Sequence, residues 1–148
     1  MKSLIYRLFP PRIDRDRVLR AITEAEAATS GEIRVVLVHQ AVTDAMAEAV
    51  KEFQKLGMQN TRHRNGVLIL LAPKSRKFAI IGDRGVNERC GGPFWEATVK
   101  TMQTAFRARA FTDGLVEGIA QIGALLAQHF PREPDEGNEL PDEILERP

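Results

Sequence analysis

Cysteine is nearly absent from this chain of 148 residues, which carries Cys90 alone. A single cysteine excludes an internal disulfide and any metal site built from several cysteines, and its ordinary interpretation is a small, partly buried apolar residue. The three histidines (His39, His63 and His129) are scattered along the chain. Because no pair of them has metal-ligand spacing, nothing in the sequence indicates a zinc site.

Long apolar runs are lacking as well. No window of about 18 apolar residues is present, so the sequence predicts no membrane-spanning helix. The first eleven residues contain a short apolar patch without the pattern of a signal peptide, and we therefore expect a cytoplasmic protein. The apolar content of 43% and the charged content of 28% are ordinary for a soluble globular protein. The length favours a single domain.

Charge is distributed unevenly, although the formal net charge is only +1. Residues 131–148 hold two Lys/Arg against seven Asp/Glu and add four prolines, a composition that predicts an extended or partly disordered acidic tail. We accordingly expect an N-terminal segment over residues 1–13, a folded domain over residues 14–130 and the tail over residues 131–148.

Residues 59–89 form the basic part of the chain, with seven Lys/Arg against two acidic residues, Asp83 and Glu88. Nucleic-acid binding would require aromatic side chains interleaved with these charges. Phe78 is the only aromatic residue in this segment and lies in a predicted strand. No nucleic-acid partner is therefore expected.

The first half of the sequence predicts a helix, a strand and a second helix. The first helix is expected over Arg15–Thr29, with Asp14 as its N-cap. The run Glu32–His39 is β-branched and nearly continuous in apolar character, which is typical of a strand covered on both faces. Thr43 is expected to cap the second helix, whose predicted apolar stripe carries Met46, Val50, Phe53 and Leu56.

The second half predicts a hairpin and two further helices. The strands Val67–Ala72 and Phe78–Ile81 flank a proline-containing turn, and a third helix is expected to start at Gly91–Pro93. The fourth helix, Leu115–His129, has a predicted buried stripe of Leu115, Ile119, Ile122 and Leu126. Because a strand–helix–strand unit favours a right-handed parallel crossover, the predicted fold class is α/β, a three-layer α/β/α sandwich with a mixed twisted sheet and helices on both faces.

The hairpin suggests where a ligand site lies. Asn65 precedes its first strand and Asp83 follows its second, so antiparallel pairing brings both to one open end. Parallel pairing with the earlier strand brings Ser30 and Glu32 to the same edge, and Asp113 is expected to approach it from the last helical layer. Calcium and magnesium prefer such oxygen ligands. The sequence therefore predicts a metal site formed by Glu32, Asn65, Asp83 and Asp113, with Arg64 and Arg84 as possible anion contacts.

Each predicted ligand also has a purely structural interpretation. Asp113 suits the dipole at a helix N-terminus, and Asn65 followed by glycine is a common turn sequence. Glu32 can be a solvated charge paired with Arg34 or Lys77 at the start of its strand. Asp83 lies in G-D-R-G, which is a turn sequence as much as a ligand loop. These alternatives stay open at the level of sequence.

The opposite edge of the sheet is a rival location. Open parallel sheets bind ligands at the carboxyl ends of their strands. A phosphate could be received there by the N-terminus of the second helix. No glycine-rich loop supports this, and the polar residues expected at this edge are His39, Thr43, Asp44, Lys74 and Arg76.

Several segments resemble the TPM domain family, and the resemblance covers about residues 14–144. They are T-S-G-E-I-R-V-V (29–36), F-Q-K-L-G-M-Q-N-T-R-H-R-N-G-V-L-I (53–69), F-A-I-I-G-D-R-G (78–85), F-W (94–95), F-R-A-R-A-F-T-D-G-L-V-E-G-I (106–119) and N-E-L-P-D-E-I (138–144). The resemblance implies an α/β/α sandwich, binding of calcium or magnesium, and the phosphatase label of plant relatives. Where family members commonly have an acidic residue before N-G-V-L, this chain has Arg64, and Ala108-Arg109 replaces a glycine and an acidic residue.

Two functions are compatible with these observations. The first is a divalent cation-binding interaction module without strong catalysis, which has an unidentified protein partner. The alternative is a metal-dependent acid phosphatase acting on phosphate monoesters, although the sequence contains neither G-x-S-x-G nor C-x5-R and offers no catalytic residue. A third possibility is regulatory: the acidic tail folds back onto the basic segment and occupies it. The sequence does not indicate an oligomeric state.

Overall fold

The computed structural model describes residues 12–133 and 144–148. Five α-helices, four β-strands and a short 3-10 turn (Pro73–Ser75) are formed within these residues. In chain order the helices and strands are α1 (Arg15–Glu26), β1 (Glu32–Val38), α2 (Ala45–Lys55), β2 (Gly66–Ala72), β3 (Lys77–Gly82), α3 (Arg84–Arg89), α4 (Gly92–Arg107), α5 (Phe111–His129) and β4 (Ile144–Arg147).

The four strands form one mixed sheet in the order β3-β2-β1-β4. β1 pairs in parallel with β2, with Glu32 opposite Gly66, and β2 pairs with β3 as an antiparallel hairpin, with Val67 opposite Gly82. The predicted parallel crossover through the second helix and the predicted hairpin are both confirmed. β4 adds in parallel to the free edge of β1.

Every residue of β1 and β2 is buried. Odd-numbered residues of these strands, such as Val35 and Ile69, belong to a core shared with α1, α4 and α5. Even-numbered residues, such as Val36 and Leu70, belong to a second core under α2. Helices therefore cover both faces of the sheet, and the predicted α/β/α sandwich is confirmed.

The helix ends differ in detail from the prediction. Asp14 caps α1 by accepting from the Arg17 N–H, as expected, but the helix ends at Glu26. Asp44, rather than Thr43, caps α2 by accepting from the Ala47 N–H at 3.0 Å. The apolar stripe predicted for this helix is rotated: the exposed fractions of Met46 and Val50 are 49% and 38%, and its buried residues are Ala45, Ala49, Glu52 and Phe53.

Helix α3 was not predicted, because Gly82–Gly85 was interpreted as a turn or loop. Asp83 is its N-cap and accepts from the backbone N–H of Arg84. Val86 is fully buried in the core beneath α4 and α5. A single buried side chain in a segment of six residues is too weak a periodic signal to distinguish a helix from a turn.

Helix α5 follows the predicted pattern closely. Its stripe of Leu115, Ile119, Ile122 and Leu126 is fully buried. Two glycines permit close approach of neighbouring helices. A Cβ built on Gly123 would lie 2.5 Å from Cβ of Ala25 in α1, and one on Gly118 would lie 2.4 Å from Sδ of Met102 in α4. The backbone of α5 is thus in direct contact with both neighbours.

Strand β4 lies in the predicted acidic tail and was not expected. Glu146 accepts hydrogen bonds from the guanidinium of Arg15 and contacts Nε2 of His39 at 3.0 Å. Arg147 binds the Glu52 carboxylate of α2, with NH2 3.0 Å from Oε2. The tail is thus extended over Ile144–Arg147, as one form of the prediction had it, but it is ordered there as a strand of the sheet, whereas residues 134–143 lie outside the described part of the chain. Glu146 and Arg147 form ion pairs with side chains on distant elements.

None of the described helices combines enough length with enough apolar character to cross a bilayer.

The contact between α1 and α5 yields a stability prediction. Substitution of Gly123→Ala places a methyl group against Ala25, whose short side chain cannot move aside. Overpacking of this kind outweighs the helix propensity gained by alanine, and we expect a loss of about 1–2 kcal/mol in the free energy of unfolding. Urea denaturation measures it. The matched control is Gly92→Ala, where no atom lies within 4 Å of the added Cβ; equal stability of the two variants would contradict the packing argument.

The attachment of β4 is expected to depend on pH. The hydrogen bond from Arg15, and then that from His39, lowers the pKa of Glu146 to about 2. Because the folded-state pKa lies below that of the unfolded chain, about 4.3, the stabilisation is complete above that pH and is lost as pH falls towards 2. The protection of the Leu145 amide against hydrogen exchange, relative to the intrinsic rate at each pH, should fall over this range. The Glu146→Gln variant should lack most of that pH dependence, and an identical pH profile in the two proteins would exclude Glu146 as its source.

Candidate functional site

The predicted ligand site lies where β1 and β2 begin and β3 ends, which we call the basic rim: residues 61–65, 83–89 and 129–133 with Ser30. Asp83 occupies its centre. Arg64 holds the Asp83 carboxylate through two parallel bonds, Nε to Oδ2 at 2.7 Å and NH2 to Oδ1 at 2.9 Å. The carboxylate also accepts from the Arg84 backbone N–H at 2.7 Å. Asp83 is thus engaged by one cation and one backbone donor.

The Arg64–Asp83 pair is accessible from one side only. The side chain of Arg64 is 38% exposed, whereas that of Asp83 is 6% exposed. The hydrogen bond to Asp83 raises the pKa of Arg64, so the guanidinium is always charged. Arg64 has a positive φ of 51°, an unusual backbone conformation for a residue with a side chain. Arg64 was predicted as an anion contact. In the structure it is the counter-ion of Asp83, a predicted metal ligand, and shields the Asp83 carboxylate from water.

Asn65 is fully buried beside this pair. Its Nδ2 donates to Oγ of Ser30 at 3.2 Å, and its backbone N–H donates to Oγ1 of Thr61 at 3.3 Å. Within the described residues, Oδ1 of Asn65 has no hydrogen-bond partner. A buried amide oxygen without a donor is costly, and a water molecule or cation is the usual remedy.

Asn65 and Asp83 share the end of the sheet but leave it on different faces. The register pairs Val67 with Gly82, and the Asp83 N–H donates to the Gly66 carbonyl at 2.9 Å. Because side chains alternate along a strand, Asp83 takes the face of Gly66 and Asn65 the face of Val67. The predicted convergence of their backbones is therefore present, whereas a direct convergence of their side-chain oxygens is not favoured.

Glu32 is occupied in a buried charge cluster. Its Oε2 lies 3.5 Å from NH2 of Arg34, and NH1 of Arg34 lies 3.3 Å from Oε2 of Glu26. The Glu26 carboxylate also accepts from the Ile33 N–H at 2.7 Å. All three charged side chains are only 3% exposed. The alternative pairing of Glu32 with Arg34 is present, but the pair is buried rather than solvated.

Asp113 lies at the other end of the molecule. It is 67% exposed in its side chain and pairs with NH2 of Arg17 at 3.1 Å. Helices α1 and α5 run side by side in the same direction, with Asp14 bonded to Thr112 at one end. Sixteen residues of α5 place Asp113 about 24 Å from the His129 end, which adjoins the basic rim. The structure therefore corrects the expectation that Asp113 approaches the other predicted ligands.

The rival edge is engaged in structural contacts. Asp44 caps α2, the carbonyl of Thr43 accepts from Lys77, and His39 contacts Glu146. Lys74 and Arg76 are exposed. These contacts account for Asp44, the Thr43 carbonyl and His39 without a ligand.

Arginines and the first residues of the tail surround Asp83. Glu133 lies 4.0 Å from Arg62 and 3.8 Å from His63. Arg84 is exposed beside Asp83. Glu133 was not among the predicted site residues. The opposite charges of the basic segment and the acidic tail were the signal in the sequence that could have indicated its contact with Arg62. The sequence also suggested that the acidic tail folds back onto the basic segment. β4 docks instead on β1, at the sheet edge opposite β3. Most of the tail motif N-E-L-P-D-E-I lies outside the described residues.

Backbone oxygens face the turn that carries Asp83. A Cβ built on Gly85 would lie 2.3 Å from the carbonyl oxygen of His63 and 2.7 Å from that of Arg64. The Gly85 N–H donates to the Arg64 carbonyl at 2.8 Å. The carbonyl oxygens of His63 and Arg64, in the loop before β2, therefore lie against Gly85. Over the described parts of the chain, no three His, Cys, Asp or Glu side chains are grouped as a metal site requires.

Comparison with known proteins identifies the family. The family model of the TPM domain matches residues 11–125. The chain belongs to the TPM domain family. The BA42 protein from the psychrophilic bacterium Bizionia argentinensis is 37% identical, with a TM-score of 0.86, and the match covers 94% of this chain and 98% of BA42.

More distant solved structures share the fold of this TPM domain. The N-terminal domain of cg2496 from Corynebacterium glutamicum is 15% identical with a TM-score of 0.62, covering 94% of this chain and 84% of that domain. An N-terminal domain from P. gingivalis is 19% identical with a TM-score of 0.66, covering 82% of each chain. No curated protein matches the sequence.

Proposed function

We propose that this TPM domain is an interaction module that binds a divalent cation, calcium or magnesium, weakly at Asp83 and has no strong catalytic activity. Two observations carry the proposal: a guanidinium covers the Asp83 carboxylate, and the carbonyl oxygens of His63 and Arg64 lie against Gly85, two residues further along the same turn. Carboxylate and carbonyl oxygens are the donors that both cations prefer.

The charge of the rim argues for weak binding. Calcium takes six to eight oxygen ligands, and Asp83 supplies the only carboxylate of the described residues on this turn. Water would have to complete the shell. Arg64 must also leave the carboxylate before a cation approaches, so the arginine competes directly with the metal. Its half-exposed side chain is free to turn towards solvent.

The interaction role is supported by the exposed arginines. Arg62 and Arg84 are exposed on the rim, and Glu133 already lies close to Arg62. A partner with acidic side chains would complement this surface. Electrostatic complementarity chiefly raises association rates and selects partners.

Removal of Arg64 should strengthen cation binding. In Arg64→Ala the Asp83 carboxylate loses its competitor, and we expect the dissociation constant for calcium to fall roughly two- to fivefold, the scale of an exposed ion pair. Titration followed by backbone amide shifts around Asp83 measures the affinity. Asp83→Asn should abolish these shifts.

Arg84→Ala is the matched control for that experiment. It removes the same charge from the neighbouring region but no side-chain contact with Asp83 that the structure describes. Equal tightening in Arg64→Ala and Arg84→Ala would indicate a general field effect rather than competition. Calcium shifts confined to the acidic tail and unchanged in Asp83→Asn would refute the site.

A metal-dependent acid phosphatase acting on phosphate monoesters is the second candidate. The specific observation in its favour is the exposed Arg84 next to Asp83, which suits a phosphate close to the cation. A bound cation would polarise a phosphoryl oxygen. Arg84 would orient the anion and balance its charge.

Hydrolysis of p-nitrophenyl phosphate with magnesium or calcium tests this candidate. If it is correct, turnover should be lost in Asp83→Asn and should fall at least tenfold in Arg84→Ala, since one charge-assisted contact is removed. Arg76→Ala, on the rival edge, is the control with the same charge change. Turnover that survives Asp83→Asn would come from a contaminant and would exclude the candidate.

A further inference from the structure

Strand β4 is the element with the smallest share in the core. It contains four residues, pairs with β1 alone and forms one edge of the sheet. Ile144 and Leu145 are only partly buried, each against a different core. β4 therefore resembles a bound peptide more than a structural strand.

The edge of β1 contacts each residue of β4 differently. Ile144, opposite Val35, packs towards α1 and α5, whereas Leu145 packs towards α2. Glu146 is held between Arg15 and His39, and Arg147 by Glu52. We call the edge of β1 with these flanking side chains the groove. It selects an extended segment of four residues in the order apolar, apolar, acidic, basic.

The groove has a defined end. The Glu26 carboxylate accepts the Ile33 N–H, a donor that a longer edge strand would otherwise use. At the other end, the His39 N–H donates to the carbonyl of Arg147 at 3.1 Å. Backbone pairing is thereby confined to a short stretch, and the register of the incoming strand is set.

None of these contacts involves the ten residues, 134–143, that connect β4 to the rest of the chain. Ten extended residues reach about 33–36 Å. Glu146 and Arg147 would find the same partners on another copy of the chain. Exchange of an identical element between copies preserves every contact and costs little beyond association entropy.

We propose that the β1 edge is a strand-exchange site, which accepts Ile144–Arg147 from a second copy and so produces a reciprocal dimer. The intramolecular strand competes at an effective concentration in the millimolar range. The wild-type dimer is therefore favoured only at high protein concentration. Weakening the intramolecular contact while keeping the intermolecular one shifts the balance towards the dimer.

Charge reversal separates the two modes of docking. In Arg15→Glu the groove repels its own Glu146, and in Glu146→Arg the strand is repelled by its own Arg15. Neither full-length variant alone can form an attractive pair between positions 15 and 146, either within one chain or between two identical chains. In a mixture, Glu at position 15 of one chain faces Arg at position 146 of the other, and the second groove retains the wild-type pair. Both altered side chains are partly exposed, at 55% and 34%, so neither change disturbs a core.

Native mass spectrometry and light scattering of the mixture, with one variant isotopically labelled, test the proposal. We expect a heterodimer whose dissociation constant is at least tenfold lower than that of either variant alone. The control is the double variant R15E/E146R, which restores the pair within one chain and should be monomeric at the same concentration. A mixture that stays monomeric overturns the proposal.

A second experiment uses the wild-type chain and therefore does not depend on whether the charge-reversal variants fold. Labelled and unlabelled protein are mixed at millimolar concentration, unfolded together and refolded. Isotope-filtered contacts between Val35 or Val36 of one copy and Ile144 or Leu145 of the other are expected. Their absence in a folded sample also overturns the proposal.

Discussion

β1 and β2 bury their side chains on both faces, so their polar neighbours can meet water only beyond the strand ends. The parallel pairing of these strands then places both N-terminal ends at one rim and both C-terminal ends at the other. The ion pairs of Arg64 and Arg34 lie at the first end, and those of Arg15 and Arg147 lie at the second. Apolar packing sets the fold, and charge determines what each end can bind.

Much of this architecture could be predicted because it depends on local patterns. The β-branched run of β1 and the hairpin with its proline turn specify burial and pairing within a few residues of sequence. Helix α5 was predictable for the same reason, since its apolar stripe recurs at helical spacing. The family resemblance, confirmed by the match over residues 11–125, agrees with that independent derivation.

The site was predicted less well because it depends on directions that local patterns do not contain. A one-residue change of register moves a side chain to the other face of a sheet, which is why Asn65 and Asp83 share an end but not a face. Asp113 was misplaced because the sequence does not state that α5 runs parallel to α1. β4 was missed because its partners, Arg15, His39 and Glu52, are distant in sequence, and an acidic segment with prolines ordinarily predicts disorder.

The Arg64–Asp83 pair shows how one position can change the chemistry of a shared fold. The Asp83 carboxylate lies on a turn whose Gly85 faces two backbone carbonyls, and carboxylate and carbonyl oxygens are the donor types that cation sites use. With a tethered guanidinium on it, the same carboxylate is neutralised before any ion arrives. Oδ1 of Asp83 accepts both from the Arg84 N–H, as the cap of α3, and from NH2 of Arg64, so the helix cap and the ion pair share one oxygen. A change at this carboxylate therefore affects the cap of α3 and ligand affinity together.

The two ends of β1 are also independent of each other. The seven residues of the strand separate the basic rim from the Glu146 contacts by roughly 20 Å, about two Debye lengths at physiological salt. No residue is common to the Asp83 cluster and the β4 contacts. Effects at distant sites without shared partners are usually additive. Occupation of the rim by a cation therefore leaves strand exchange unchanged, unless β1 itself shifts, and its complete burial on both faces opposes such a shift.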